Sequence, residues 1–219
     1  MQEMMTVAPK KTKRVLLDLD FSRQNVGDTF VTDFSGNHLL AKVGSGSAVV
    51  QQDSSQGNAK GMLWSGSTPV MFAAGKMIDL ATDPVEISIQ VKQTSGASNK
   101  MAWCTGDYPT LNNYKSGIAH YSLLGGGTPQ LFAVNDQGDY TRAETLEQFN
   151  VYNNFVFTTN PSRREIRIQE LTRGQDRTLF VSTWFGKGTD FSLGGSFVGG
   201  LSYAPFSGFI YKLKIVKIG

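Results

Sequence analysis

Carboxylates at strand-like spacing are where chemistry would first be sought in this chain. In Glu86-Ile-Ser-Ile-Gln90, positions 86, 88 and 90 share one face of an extended strand. A retaining glycosidase needs two carboxyl groups about 5–5.5 Å apart, one as nucleophile and one as acid/base. Ser88 and Gln90 stand where further acids would be required, and neither side chain ionises. Glycoside hydrolysis is therefore only a remote alternative, and no catalytic residue is assigned. The two histidines, His38 and His120, accompany no Gly-x-Ser-x-Gly elbow. Cys104, between Trp103 and Thr105, reads as a small buried residue rather than a nucleophile. Two isolated histidines and one cysteine exclude a zinc motif. Asn135-Asp-Gln-Gly-Asp139 offers oxygen ligands but lacks the spacing and terminal glutamate of a calcium loop. It reads as a hairpin turn, so the expectation is no metal and no cofactor, with calcium as the alternative.

Sugar recognition has better material. A carbohydrate site pairs an aromatic face with amide and carboxylate groups that match the ring and the hydroxyls. Trp103, Asp107, Tyr108, Asn112, Asn113 and Tyr114 bring these types into one segment expected to be a loop. Tyr152, Asn153 and Asn154 form a second cluster of the same chemistry. The glycine groups 125–127 and 199–200 lack the strand-to-helix context of a phosphate loop and read as turns.

The elements that must position these residues alternate with a period of two. Val85, Ile87, Ile89 and Val91 interleave with Glu86, Ser88, Gln90 and Lys92, which predicts a half-buried strand. Near the carboxyl end, Phe209, Tyr211, Leu213, Ile215 and Lys217 share one parity, and Ile210, Lys212, Lys214 and Val216 the other. Gly208 permits close backbone approach as that strand begins. At the other end Val15, Leu17, Leu19 and Phe21 define one face, with Asp18 and Asp20 opposite beside Leu16. Further strands are expected at 39–43, 48–52, 61–64, 70–72, 84–93, 100–105, 117–124, 130–134, 155–159, 165–171 and 178–183. Such short, regularly spaced strands predict an all-β sandwich. One segment dissents: Thr141-Arg-Ala-Glu144 matches a capping box, predicting a short helical turn near 142–150.

With 219 residues, 24 of them glycine, the chain suits one turn-rich sandwich, and no apolar run is long enough to insert in a membrane. Lys10, Lys11, Lys13 and Arg14 against Glu3 account for the whole net charge of +3. The body is then neutral, which argues against nucleic acid as a partner. Residues 1–13 are expected to be a flexible basic leader and 14–219 a single domain. With no apolar segment and cleavage site at the amino terminus, and one cysteine, synthesis in a reducing cytoplasm without a signal peptide is expected.

Two end motifs carry a family resemblance. Asp20-Phe-Ser22 followed by Asp33-Phe-Ser-Gly-Asn37, and an apolar-Gly-Gly before Phe206-Ser-Gly-Phe-Ile-Tyr-Lys-Leu-Lys-Ile215, resemble the ends of laminin-G-like domains of the concanavalin A-like superfamily. The resemblance implies a jelly-roll-like sandwich of two antiparallel sheets that binds ligands. The middle departs from the family, since Tyr152-Asn-Asn-Phe155 and Arg167-Ile-Gln-Glu-Leu171 replace its usual motifs. Unsignalled single domains of this kind are also similar to accessory virion proteins of tailed bacteriophages. That similarity implies a non-catalytic binding or structural module located in the virion, either head decoration or tail and host-surface attachment. Its partners would be other virion proteins or copies of itself, with Lys10, Lys11, Lys13 and Arg14 as the docking leader. The alternative is a lectin-like domain that binds a surface glycan.

Overall fold

The computed structural model describes residues 12–37, 48–66, 70–72, 79–94, 100–105, 117–122, 130–134, 140–145, 148–181, 191–198, 201–203 and 205–219. They form β1 (Lys13–Asp20), β2 (Val49–Asp53), β3 (Ala59–Ser65), β4 (Val70–Phe72), β5 (Val85–Gln93), β6 (Lys100–Thr105), β7 (Gly117–Ser122) and β8 (Gln130–Val134). Then come β9 (Tyr140–Glu144), β10 (Asn153–Asn160), β11 (Glu165–Glu170), β12 (Gln175–Phe180), β13 (Phe191–Leu193), β14 (Ser196–Val198), β15 (Leu201–Tyr203) and β16 (Ser207–Ile218). All strand pairs are antiparallel. One sheet runs β12-β11-β10-β5-β16-β3-β2, with β1 also on β16; the second runs β4-β13-β6-β7-β8-β9, and β14 and β15 pair separately. The protein is an all-β sandwich of two antiparallel sheets.

The core lies between the sheets because each strand must bury its apolar face against the other layer. From the eight-stranded sheet come Val85, Ile87, Ile89, Val91, Phe155, Phe157, Ile166, Ile168, Leu213 and Ile215; from the other come Trp103, Leu131 and Phe191. Trp103 stacks on Phe191 at 6.0 Å and meets the edge of Phe157 at 5.2 Å. Cys104 is buried, with its sulfur 2.9 Å from Ser192 Oγ.

Several expectations change here. A bulge between Ile210 and Lys212 makes Tyr211 an extra residue, so the parity of β16 reverses. Ile210 joins Leu213 and Ile215 in the core, and Phe209 with Tyr211 turns to the outer face. A second irregularity between Val15 and Leu17 buries Leu16 together with Leu17, instead of leaving it beside the aspartates. Residues 140–144 form strand rather than the expected helical turn: five cross-strand pairs with β8, and Ala143 packed on the core, outweigh a local capping signature. β12 starts earlier than expected, because the turn after Glu170 places Gln175 opposite it; the strand expected at 165–171 ends at Glu170 and Leu171 is exposed. The stretch 39–43 lies outside the described residues. Gly208 behaves as read: at φ +146° an added Cβ would sit 2.2 Å from the Lys92 carbonyl oxygen.

Candidate functional site

The outer face of the eight-stranded sheet gathers the polar alternates of four strands. β5 presents Glu86, Ser88 and Gln90; β10 presents Asn154, Val156 and Thr158 opposite Gln90, Ser88 and Glu86 respectively. On its other side β5 meets Lys212 opposite Gln90 and Lys214 opposite Ser88. β1 completes the rows with Asp20 opposite Lys212 and Asp18 opposite Lys214. Short side chains on the two central strands, between longer charged ones, leave an open groove of about 260 Å³. Asp18, Asp20, Ser88, Gln90, Asn154, Lys212 and Lys214 line it. No side-chain hydrogen bond joins Ser88, Gln90 or Asn154 to another described residue. Their hydroxyl and amide groups face the groove uncommitted.

The walls are electrically balanced. Lys212 Nζ lies 3.0 Å from Asp20 Oδ2, and Lys214 Nζ lies 3.6 Å from Asp18 Oδ2. Across the floor, Arg167 of β11 donates from Nε to both carboxylate oxygens of Asp176 on β12, at 3.1 and 2.9 Å. Glu86 is held by Lys13 at 3.2 Å. Exposed and partly exposed pairs of this kind gain little against solvent screening and side-chain entropy, so they neutralise the face more than they hold it together. Burial pushes the Asp20 carboxyl up, but bonds from Ser22 and Lys212 outweigh it and leave the group below its ordinary value. Asp20 is thus an acceptor at neutral pH, not a proton donor.

The turn motif read at 33–37 holds the aspartate wall in place. Asp33 Oδ1 accepts from the Asp18 backbone at 3.1 Å and from that of Ser35 at 2.9 Å. Asn37 Nδ2 donates to the carbonyls of Val15 and Leu16 at the irregularity in β1. These bonds satisfy backbone groups that the bulge removes from the ladder.

Beyond Gln90 the groove ends at a buried ionic cluster. Lys92 Nζ is 2.6 Å from Asp53 Oδ2 and 2.5 Å from Ser55 Oγ, and Tyr211 OH donates to the same Asp53 oxygen at 2.5 Å. Burial would raise the Asp53 pKa, yet bonds from Lys92, Tyr211 and Ser55 hold it at about 2. Burial and the Asp53 carboxylate push Tyr211 upward. Gly61 leaves room for the Tyr211 ring, since a Cβ there would meet it at 2.8 Å. Tyr152 packs 5.5 Å from that ring, and burial raises its hydroxyl pKa. Alternation places Lys92 on the same strand face as Glu86, Ser88 and Gln90. Only the fold brings Asp53 and Tyr211 to it.

The expected site residues divide accordingly. Trp103 is fully buried and offers no face to a ligand: the inner face of β6 points it into the core. Asp107, Tyr108, Asn112, Asn113 and Tyr114, the 135–139 turn, Lys10 and Lys11 lie outside the described residues. Lys13 and Arg14 belong to β1, opposite Ile218 and Lys217, so the sheet ladder claims two residues assigned to leader docking. The cluster at 152–154 splits by alternation. Asn154 lines the groove, while Asn153 is buried and ties down the preceding turn through the carbonyls of Gln148 and Val151. Among the described residues no three or more His, Cys, Asp or Glu side chains converge to hold a metal ion.

No protein-family model matches this chain, and neither does any curated protein sequence. Solved structures do. Domain 4 of AbnA, a GH43 extracellular arabinanase from Geobacillus stearothermophilus solved in complex with arabinotriose, aligns with a TM-score of 0.67 at 14% identity, over 94% of this chain and 93% of that domain. The CBM40 of the Ruminococcus gnavus IT-sialidase aligns at 0.51 with 14% identity, over 80% and 89% of the two chains. The receptor-binding domain of botulinum neurotoxin D aligns at 0.58 with 13% identity; this chain spans 92% of itself but only 48% of that domain. Likeness at such identities speaks to the fold. What it shows is a shared β-sandwich architecture.

Proposed function

We propose that the protein is a non-catalytic carbohydrate-binding β-sandwich module whose ligand lies in the outer groove. The observation that carries this is the uncommitted trio Ser88, Gln90 and Asn154 on the floor of an open groove with neutralised walls. Similarity in fold to domain 4 of the arabinanase and to the CBM40 module supports the class and raises the lectin-like alternative above the assembly role. Catalysis is not part of the proposal. The groove carboxylates Asp18 and Asp20 are engaged by lysines, and Glu86 by Lys13.

The test is a glycan array followed by calorimetry on Gln90→Ala/Asn154→Ala. Two neutral hydrogen bonds at about 0.5–1.5 kcal/mol each amount to a loss of roughly 5- to 140-fold in affinity, with melting unchanged. Undiminished affinity in the double variant, or an empty array, refutes the assignment. The wider setting we propose is a concanavalin A-like domain carried on a tailed-phage virion after synthesis in the host cytoplasm. The sequence resemblance at 18–37 and 190–215 supports the domain class, and the similarity to unsignalled single-domain virion proteins supports the setting. Mass spectrometry of purified particles tests it, and absence of the protein from them overturns it.

A further inference from the structure

A second cleft, of about 390 Å³, lies beyond the groove and includes Thr82, Pro84, Thr158, Asn160, Ser162 and Ile218 in its lining. It continues the same face of the same three strands. On β10 the alternates Asn154, Val156, Thr158 and Asn160 run from the groove into the cleft. On β16 Lys212, Lys214, Val216 and Ile218 do the same. Beside them Gln90, Ser88 and Glu86 of β5 lead to Pro84, just before that strand. At about 3.3 Å per residue, Gln90 to Pro84 covers roughly 20 Å. Glu86 stands between the two depressions, with its carboxylate engaged by Lys13.

The charges that line the groove and its crossing are paired: Asp20 with Lys212, Asp18 with Lys214 and Glu86 with Lys13. The second cleft adds hydroxyl and amide groups, with Ser162 Oγ donating to Asn160 Oδ1 at 2.8 Å. Resting on the glycan-binding reading above, we infer that the ligand is a linear, uncharged oligosaccharide that crosses Glu86 and occupies both depressions. A single sugar fills one depression only. An anionic chain would meet carboxylates on the groove wall and at the crossing, where Lys212, Lys214 and Lys13 are already engaged by Asp20, Asp18 and Glu86.

Calorimetry on the full chain tests this with linear arabino-, cello-, xylo- and manno-oligosaccharides of two to eight units, and with oligogalacturonates as the anionic comparison. For the series that binds, affinity is expected to rise about tenfold between the shortest ligand and one spanning both depressions. Asn160→Ala/Ser162→Ala is expected to lower the long ligand to the value of the short one and leave the short one unchanged. Raising salt is expected to change affinity less than about twofold, because no net charge is neutralised on binding. Length-independent affinity, equal loss for short and long ligands in the variant, or preference for oligogalacturonates overturns this inference while leaving glycan binding intact. Absence of binding by every oligosaccharide overturns both.

Discussion

Replacing Asp53 by Asn isolates the buried cluster that closes the groove. The Lys92 and Asp53 side chains are only 9% and 5% exposed, and their charged atoms are 2.6 Å apart. Removing the carboxylate strands an ammonium in a desolvated position, a change that costs about 3–5 kcal/mol when a buried pair loses one partner. Ser55 Oγ still accepts from Lys92, which places the expectation near the lower end, about 3 kcal/mol. Urea denaturation at neutral pH measures it directly. Acid supplies an independent check. The folded-state pKa of Asp53 is depressed to about 2, so its contribution is complete above the ordinary carboxylate value and fades as pH falls from about 4 to about 2. That contribution is about 2 kcal/mol at one pKa unit per 1.36 kcal/mol. The wild type should therefore lose about 2 kcal/mol more than Asp53→Asn between pH 5 and pH 2. Joint replacement by Asp53→Leu and Lys92→Met should recover much of the loss at neutral pH, because no lone charge remains. If Asp53→Asn is as stable as the wild type at neutral pH, or shows the same acid sensitivity, the cluster does not act as a buried ion pair.

Two further outcomes are expected. Gly194→Ala would place a methyl group 2.4 Å from the Trp64 ring at φ +77°, so it should lower stability by about 1–3 kcal/mol in the same denaturation assay; a neutral effect would mean Trp64 can move. Hydrolysis of β-glucan or arabinan should be undetectable in a reducing-sugar assay, and turnover that disappears in Glu86→Gln would restore the enzyme class.

The strands were legible because alternation is local. Positions 85–92 declare one buried and one open face, and the same alternation identifies Glu86, Ser88 and Gln90 as neighbours on the open one. Asn154 was recognised as sugar-type chemistry and does line the groove, although its neighbour Asn153 points inward, as a period of two requires. The walls were not legible. Asp18 and Asp20 stand at one end of the chain and Lys212 and Lys214 at the other, and each alternation was visible without any sign that β1 would pair with β16. A single extra residue at Tyr211 moves Phe209 and Tyr211 to the opposite face, and no residue type in that run announces a bulge. Trp103 shows the limit of composition. An aromatic beside polar residues suggests a sugar platform, yet in the sandwich this tryptophan is core.

Amide chemical-shift mapping during oligosaccharide titration tests the central claim most directly. Glycan binding in the outer groove predicts that the largest shifts fall on Ser88, Gln90, Asn154, Lys212 and Lys214. Residues on the second sheet, such as Ala119 and Leu131, should be undisturbed. Saturable binding whose shifts fall elsewhere, with those five residues unmoved, would contradict it.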